Sequence, residues 1–155
     1  MSRSRGFSLL ELVIALAVFL SASLCVLPLF SEGARFAQSN KISVACRLLA
    51  TDMAFVQNKS LYGNLNGDSY SLMLDRYGDG YTVIRGQKVY RKVVFSEKGL
   101  APVIATCAST NKFAFTANGA PKSSASINVY CSNVPNKSKF VEIQPITGRI
   151  VIRDG

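Results

Sequence analysis

The chain has 155 residues, 48% of them hydrophobic and 17% charged, with 18 Lys and Arg against 9 Asp and Glu for a net charge of +9. That length holds one domain, and the roughly 125 residues beyond an apolar N-terminal segment suffice for a modest core. Histidine is absent, which excludes histidine-based triads and zinc sites of the usual kind.

The apolar residues are densest from Phe7 to Phe30, directly after a basic start, Met1-Ser2-Arg3-Ser4-Arg5-Gly6. Lys and Arg are retained on the cytoplasmic side of a membrane segment, so this order directs the rest of the chain outward. As a helix, Phe7–Phe30 measures roughly 36 Å, enough for a hydrocarbon core of about 30 Å. An ordinary secretory signal shares both parts and would be cut after the apolar run, where Ser21-Ala22-Ser23 supplies small residues. Glu11 separates the two readings. A carboxylate inside an apolar helix costs on the order of 2.5 to 3.5 kcal/mol on insertion scales and requires a partner. A cut after Gly6 creates one, because the new amine of Phe7 can neutralise Glu11 of the same or an adjacent chain. The simpler alternative is a helix-end glutamate reaching to the headgroups. Pro28 removes a backbone donor and crowds the carbonyl four residues earlier, so a bend is expected near Leu24.

Helical periodicity continues beyond the apolar run in amphipathic form. Ile42, Ala45, Leu48, Leu49, Met53 and Val56 recur at spacings of three or four and share one face, with Lys41, Arg47, Gln57 and Lys59 largely elsewhere. This predicts a helix over 31–62 that covers a sheet and is stopped by Gly63-Asn64-Leu65-Asn66-Gly67. The region 68–155 then reads as strands: Ser69–Leu74, Tyr81–Arg85, Lys88–Phe95, Lys112–Thr116, Ser126–Cys131, Phe140–Gln144 and Arg149–Arg153. Tyr77–Gly80, Gly86-Gln87, Asn118-Gly119 and Pro145–Gly148 supply the turns. Leu100–Thr106 is a further strand, confined to an edge by Pro102. The expected fold class is α+β, one long helix packed on a C-terminal antiparallel sheet.

Cys25 lies in the apolar helix and serves as a small apolar residue. Cys46, Cys107 and Cys131 follow in the exported part, where disulfides are permitted. Cys107 with Cys131, both in the strand region, is the preferred pair; a pair with Cys46 is the alternative, and an odd thiol remains either way. No CxxC spacing supports a redox enzyme or a metal centre. Asp75-Arg76-Tyr77-Gly78-Asp79-Gly80 lacks the further oxygen ligands of a calcium loop and reads as a hairpin turn. Lys88, Arg91, Lys92, Lys137 and Lys139 read as solvated charges, whose sum favours nonspecific attraction to DNA or anionic lipid. No cofactor is expected, and no pairing of nucleophile and base suggests an enzyme.

Gly6-Phe7-Ser8-Leu9-Leu10-Glu11-Leu12 followed by an apolar helix resembles the class III leader of type IV prepilins and pseudopilins. The resemblance implies that residues 1–6 are a leader removed by a prepilin peptidase, with Gly6 as its recognition residue. It further implies that Phe7 becomes the methylated N-terminus and that Glu11 registers a new subunit against its neighbour. Residues 7–30 would then form the membrane and filament-core helix, and 31–155 the extracytoplasmic domain. Pro28 is consistent with the family, where a proline loosens the anchor helix. The stretches Lys112–Gly119, Ser126–Tyr130 and Val141–Ile152 resemble, more loosely, minor pseudopilins of the GspH/FimT type. The expected role is structural: a minor pilin or pseudopilin held in the inner membrane, single-pass, and extracted into a filament. Its expected partners are the prepilin peptidase, other pilins or pseudopilins, the inner-membrane assembly platform and membrane lipid. The alternative is a DNA-binding minor pilin. Gly148-Arg149-Ile150-Val151-Ile152-Arg153 resembles the basic C-terminal segment of such subunits, and Arg149 and Arg153 fall on one face of a strand. Polar outward positions alternating with buried Ile150 and Ile152 explain the same spacing.

Overall fold

The computed structural model describes residues 8–62 and 69–155, with the side chains of residues 24–31 and 135 outside the described set. One helix, α1 (Leu9–Tyr62), precedes β1 (Tyr70–Leu74), β2 (Gly80–Arg85), β3 (Lys88–Val94), β4 (Val103–Cys107), β5 (Lys112–Ala114), β6 (Ala125–Cys131), β7 (Val134–Ile143) and β8 (Ile150–Asp154). The chain divides into two compact units, Met1–Ala37 and Gln38–Gly155. The turn expected at Gly63–Gly67 lies outside the described residues, as do the side chains of Cys25 and Pro28 and hence the cause expected for a bend near Leu24. Among the described residues no helical segment is long and apolar enough to cross a membrane. The expected span, Phe7–Phe30, includes residues beyond that set.

In the second unit, the face of α1 read from the sequence is the buried one. Ile42, Ala45, Leu49, Met53 and Val56 are buried, and Leu48 packs at the margin. Ile42, Leu49, Met53 and Val56, withdrawn from water, each contribute on the order of 1.5 to 3 kcal/mol. The strands that share this core form two antiparallel sheets, ordered β3-β2-β1-β5 and β4-β6-β7-β8, rather than the single sheet expected. The first contributes Leu72, Leu74, Tyr81, Val83, Val93 and Phe113 to the core; the second contributes Val103, Ala105, Ile127, Val129, Cys131, Val141 and Ile143. β6 shows the alternation most plainly, burying Ala125, Ile127, Val129 and Cys131.

The expected turns connect the strands. Gly78, between β1 and β2, has φ +73°, and a Cβ there would come within 2.6 Å of the Ala105 carbonyl. Its own carbonyl accepts the Ala105 N–H at 2.8 Å, tying this hairpin to the edge strand of the other sheet. β4 is at an edge, and Pro102 falls just before it. β7 starts at Val134, well before the expected Phe140, because it pairs with β6 as far as Cys131. The polar run Asn136-Lys137-Ser138-Lys139 has no apolar alternation to reveal that extension.

One polar residue sits within the apolar face of α1. Asp52 is only 2% exposed. Its carboxylate accepts hydrogen bonds from the Tyr81 hydroxyl at 2.7 Å and from Arg91 Nη1 at 2.6 Å, so the helix is joined to two strands of one sheet. Burial, and then the hydrogen bond and charge of Asp52, push the Tyr81 hydroxyl far above the ordinary tyrosine range.

The preferred disulfide is not formed. Cys107 faces Ile127 and Cys131 faces Val103 in the β4–β6 register. The two cysteines therefore stand at opposite ends of one strand pair, roughly 13 Å apart along the strands, where a bridge needs Cα atoms within about 7 Å. Cys46, Cys107 and Cys131 are free thiols, Cys46 and Cys131 being buried. Burial pushes the Cys46 thiol up to about 11, against the pull of Lys139. Burial likewise raises Cys131, with Lys41 opposing. Burial also pushes Cys107 up, but hydrogen bonds from the Ser109 side chain and the Thr110, Ser109 and Ser126 backbone outweigh it, and its thiol lies below the usual range.

Asp52→Ala removes the acceptor of a buried hydroxyl and should cost about 1 to 3 kcal/mol in urea unfolding, with a smaller cost in a Tyr81→Phe background. Equal costs in both backgrounds would show the two groups to be uncoupled. Because folding raises the Tyr81 pKa, its contribution is complete below pH ~10 and is lost above it, where the unfolded chain deprotonates first. Tyr81→Phe should flatten that alkaline loss. Among these three thiols, alkylation of the native protein near neutral pH should modify Cys107 first, with Cys46 and Cys131 reacting only after unfolding. A Cys107–Cys131 linked peptide in non-reducing mass spectrometry would contradict the strand register.

Candidate functional site

The N-terminal half of α1 is built unlike the rest of the chain. Leu9, Leu10, Leu12, Val13, Ile14, Leu16, Val18, Phe19 and Leu20 all stand exposed, from 51% to 81%. They point in every direction around the helix, the pattern of a segment whose surroundings are themselves apolar. Its hydroxyl groups are satisfied internally: Ser21 donates to the Val18 carbonyl and Ser23 to the Phe19 carbonyl, both at 2.8 Å. Such bonds lower the cost of placing serine in an apolar environment. Ser21-Ala22-Ser23, the alternative signal cleavage site, lies inside α1.

Glu11 occupies the first turn of α1. The helix opens with the N–H groups of Glu11 and Leu12 donating to the Ser8 carbonyl at 3.0 and 3.2 Å. A carboxylate at this end meets the positive pole of the helix dipole, which offsets part of its desolvation cost. Gly6 and Phe7 lie outside the described residues, so the junction between them and the expected pairing of the Phe7 amine with Glu11 do too.

At the other end of the chain, β8 is the edge strand of its sheet. Ile150 and Ile152 oppose Ile143 and Val141, which places them on the core side. Ile152 nevertheless keeps 38% exposure, because an edge strand is covered from one flank only; it is not the buried residue expected. Arg149 immediately precedes the strand and is exposed, its N–H donating to Thr147 Oγ1 at 3.3 Å. The preceding turn is closed by Gly148 donating to the Gln144 carbonyl at 2.9 Å and Gln144 to that of Arg149 at 3.0 Å. Gly148 has φ +65°, and Gln57 on α1 donates to the carbonyls of Gly119 and Gly148, at 2.8 and 3.0 Å. The Thr147-Gly148-Arg149 turn is thereby pinned to the helix.

Arg149 and Arg153 are both exposed, but they are electrostatically unequal. Arg153 Nε lies 3.0 Å from Glu142 Oε2 on β7, and Lys139 lies 2.6 Å from Asp154. Lys139 and Arg153 are therefore compensated, and among the described residues Arg149 forms no ion pair. The sequence alone does not reveal these pairs, because each depends on the β7–β8 register.

Residues 1–24 match the prokaryotic N-terminal methylation motif. None of the curated proteins matches the chain by sequence. The structure is similar to the type IV minor pilin FimU of Pseudomonas aeruginosa PAO1. One crystal form aligns at TM-score 0.61 and 18% identity over 76% of this chain and 92% of FimU. A second aligns at 0.55 and 18% over 72% and 91%. The chain thus carries a prokaryotic N-terminal methylation motif at residues 1–24, followed by a fold similar to that of a type IV minor pilin.

Proposed function

We propose that the protein is a minor pilin or pseudopilin, a structural subunit that helps to initiate or decorate a type IV pilus or a type II secretion pseudopilus. The observation that carries this reading is the change of character along α1. Its first half exposes apolar side chains all round, and its second half buries one face beneath two sheets. The first half suits lipid before assembly and neighbouring helices afterwards. In this reading a prepilin peptidase removes residues 1–6 and the Phe7 amine is methylated. The helix over 7–30 holds the subunit in the inner membrane as a single pass with 31–155 outside. The assembly platform then lifts it into the filament, where Glu11 meets the amine of an adjacent subunit.

DNA binding through Arg149 and Arg153 is the second reading. It is supported by their exposure at an edge strand and by the rigid turn that presents Arg149, and it is weakened by the Glu142 pair. Removing Arg3 and Arg5 with the leader lowers the net charge from +9 to +7, which still favours a polyanion.

Mass spectrometry of the membrane-extracted protein should find methylated Phe7 as its first residue; a terminus at Met1 or beyond Ser23 would reject the processing scheme. A bulky residue in place of Gly6 should block cleavage. Glu11→Val should insert and be cut normally yet enter filaments poorly, and undiminished incorporation would show the carboxylate to be dispensable. For the second reading, changing Arg149 and Arg153 to Gln should flatten the salt dependence of duplex-DNA binding by about 0.9 for each lost contact. A slope unchanged in the double variant would remove the two arginines from any DNA site.

A further inference from the structure

The β2–β3 hairpin carries four basic residues, Arg85, Lys88, Arg91 and Lys92, and no acidic residue between Gly80 and Val94. Arg91 is committed to Asp52, and Lys92 pairs in register with Thr82, away from the residues that face the helix. Arg85 and Lys88 pair across the end of the hairpin, and both are exposed. Beside them the last turns of α1 bring Phe55 and Lys59. Here cations and rings are interleaved. Phe55 and Tyr90 stack with ring centroids 5.5 Å apart and planes 16° from parallel. Tyr70 meets both rings edge-on, at 6.0 and 5.8 Å. Lys59 Nζ lies 5.7 Å from the Phe55 centroid, and the Arg85 guanidinium lies 5.9 Å from that of Tyr70.

Two features distinguish this surface from an ordinary solvated edge. Among the described residues Lys59 and Lys88 form no ion pair, in contrast to Lys139 of β7 and Arg153 of β8. Asp52, which lines the neighbouring depression with Phe55, Tyr90 and Arg91, is already held by Tyr81 and Arg91. The second feature is Tyr90, which falls at an irregularity in the β2–β3 register. It remains 55% exposed although its ring is fixed against Phe55. Lysines alone would protect an edge strand from pairing with another chain; a fixed, half-exposed aromatic ring adds nothing to that protection. Cations that track a backbone beside a ring that accepts a base are the components of single-strand recognition.

We propose that the β2–β3 hairpin and the last turns of α1 form a binding surface for single-stranded nucleic acid. Tyr90 is the stacking residue, and Lys59 and Lys88 are the phosphate contacts. This surface is separate from Arg149 and Arg153, and the inference does not depend on the reading that assigns DNA to them.

The test uses the full chain in nonionic detergent, with fluorescence anisotropy of a labelled thymidine oligomer, a duplex of equal length and an unlabelled polyuronate as competitor. The oligomer should bind more tightly than the duplex, with a salt slope of about 0.7 per phosphate contact. Changing Lys59 and Lys88 together to Gln should lower that slope by up to about 1.4. Tyr90→Leu should weaken binding roughly 5-fold or more at unchanged slope, and Tyr90→Phe, which keeps the ring, should not. If Tyr90→Leu lowers the melting temperature, the lysine pair, which removes only exposed charge, decides the question. Absence of binding at low salt overturns the proposal. So does equal displacement by a polyuronate of matched charge, which would assign the surface to acidic polysaccharide. Binding lost in the Arg149 and Arg153 double variant but kept in the hairpin variants overturns it as well.

Discussion

The apolar face of α1 between Ile42 and Val56 is the surface on which both sheets close. A four-stranded antiparallel sheet with one apolar side must cover that side, and here two such sheets share one helix. Leu49, Met53 and Val56 are fully withdrawn from water together with Leu72 and Tyr81 from one sheet and Ile127, Val129 and Val141 from the other. Asp52 then fixes what apolar packing leaves free. Apolar contacts tolerate sliding, whereas a buried carboxylate with two donors permits one register of helix against strands. Its Tyr81 and Arg91 bonds orient β2 and β3 relative to α1, and thereby the hairpin that follows them.

A single helix thus serves two solvents. Beyond Ile42 it obeys the rules of a globular core, with one buried face, on which Asp52 is paired, and the other charged residues elsewhere. Near Leu9 it obeys the rules of an apolar medium: side chains apolar on every side, serine hydroxyls bonded back to the helix, and the acidic residue confined to the first turn, where the dipole favours it. The prokaryotic N-terminal methylation motif covers this part, and the likeness to FimU concerns the fold. In the proposed life of a filament subunit the first half is held in a membrane and then packed among other helices, while the second half carries the globular core throughout.

Charge is distributed unevenly over the sheets. Along β7 and β8, cations meet carboxylates at hydrogen-bonding distance, through Lys139 with Asp154 and Arg153 with Glu142. At the β2–β3 hairpin Arg91 meets Asp52, whereas Lys59 of the neighbouring α1 lies over the Phe55 ring. Compensation by a carboxylate hides a positive charge from a distant anion, whereas a ring face leaves most of it available. The two ends of the β region therefore present different surfaces to a polyanion despite similar counts of Lys and Arg.

The sequence alone determined the α+β class, the buried face of α1, the turns and most strand positions. These depend on local periodicity and on Gly, Asn and Pro chemistry. The N-terminal methylation motif, too, was legible, because Gly6, Phe7 and Glu11 are close in sequence and the cost of a carboxylate in an apolar run is a local quantity. Tertiary structure decided whatever depends on register and on pairs distant in sequence. It divided the strands into two sheets and extended β7 through a polar run whose pairing, not its hydrophobicity, makes it a strand. It separated Cys107 from Cys131, which composition had joined only because both lie among strands. The role of Asp52 has no local signal, because it depends on Tyr81 and Arg91 being brought to it. Arg153 looked like a free cation until β7 placed Glu142 beside it. The physical reason is the same in each case: periodicity reveals which face a residue occupies, but its partner is set by which strand lies alongside, and that is fixed only when the chain closes around its core.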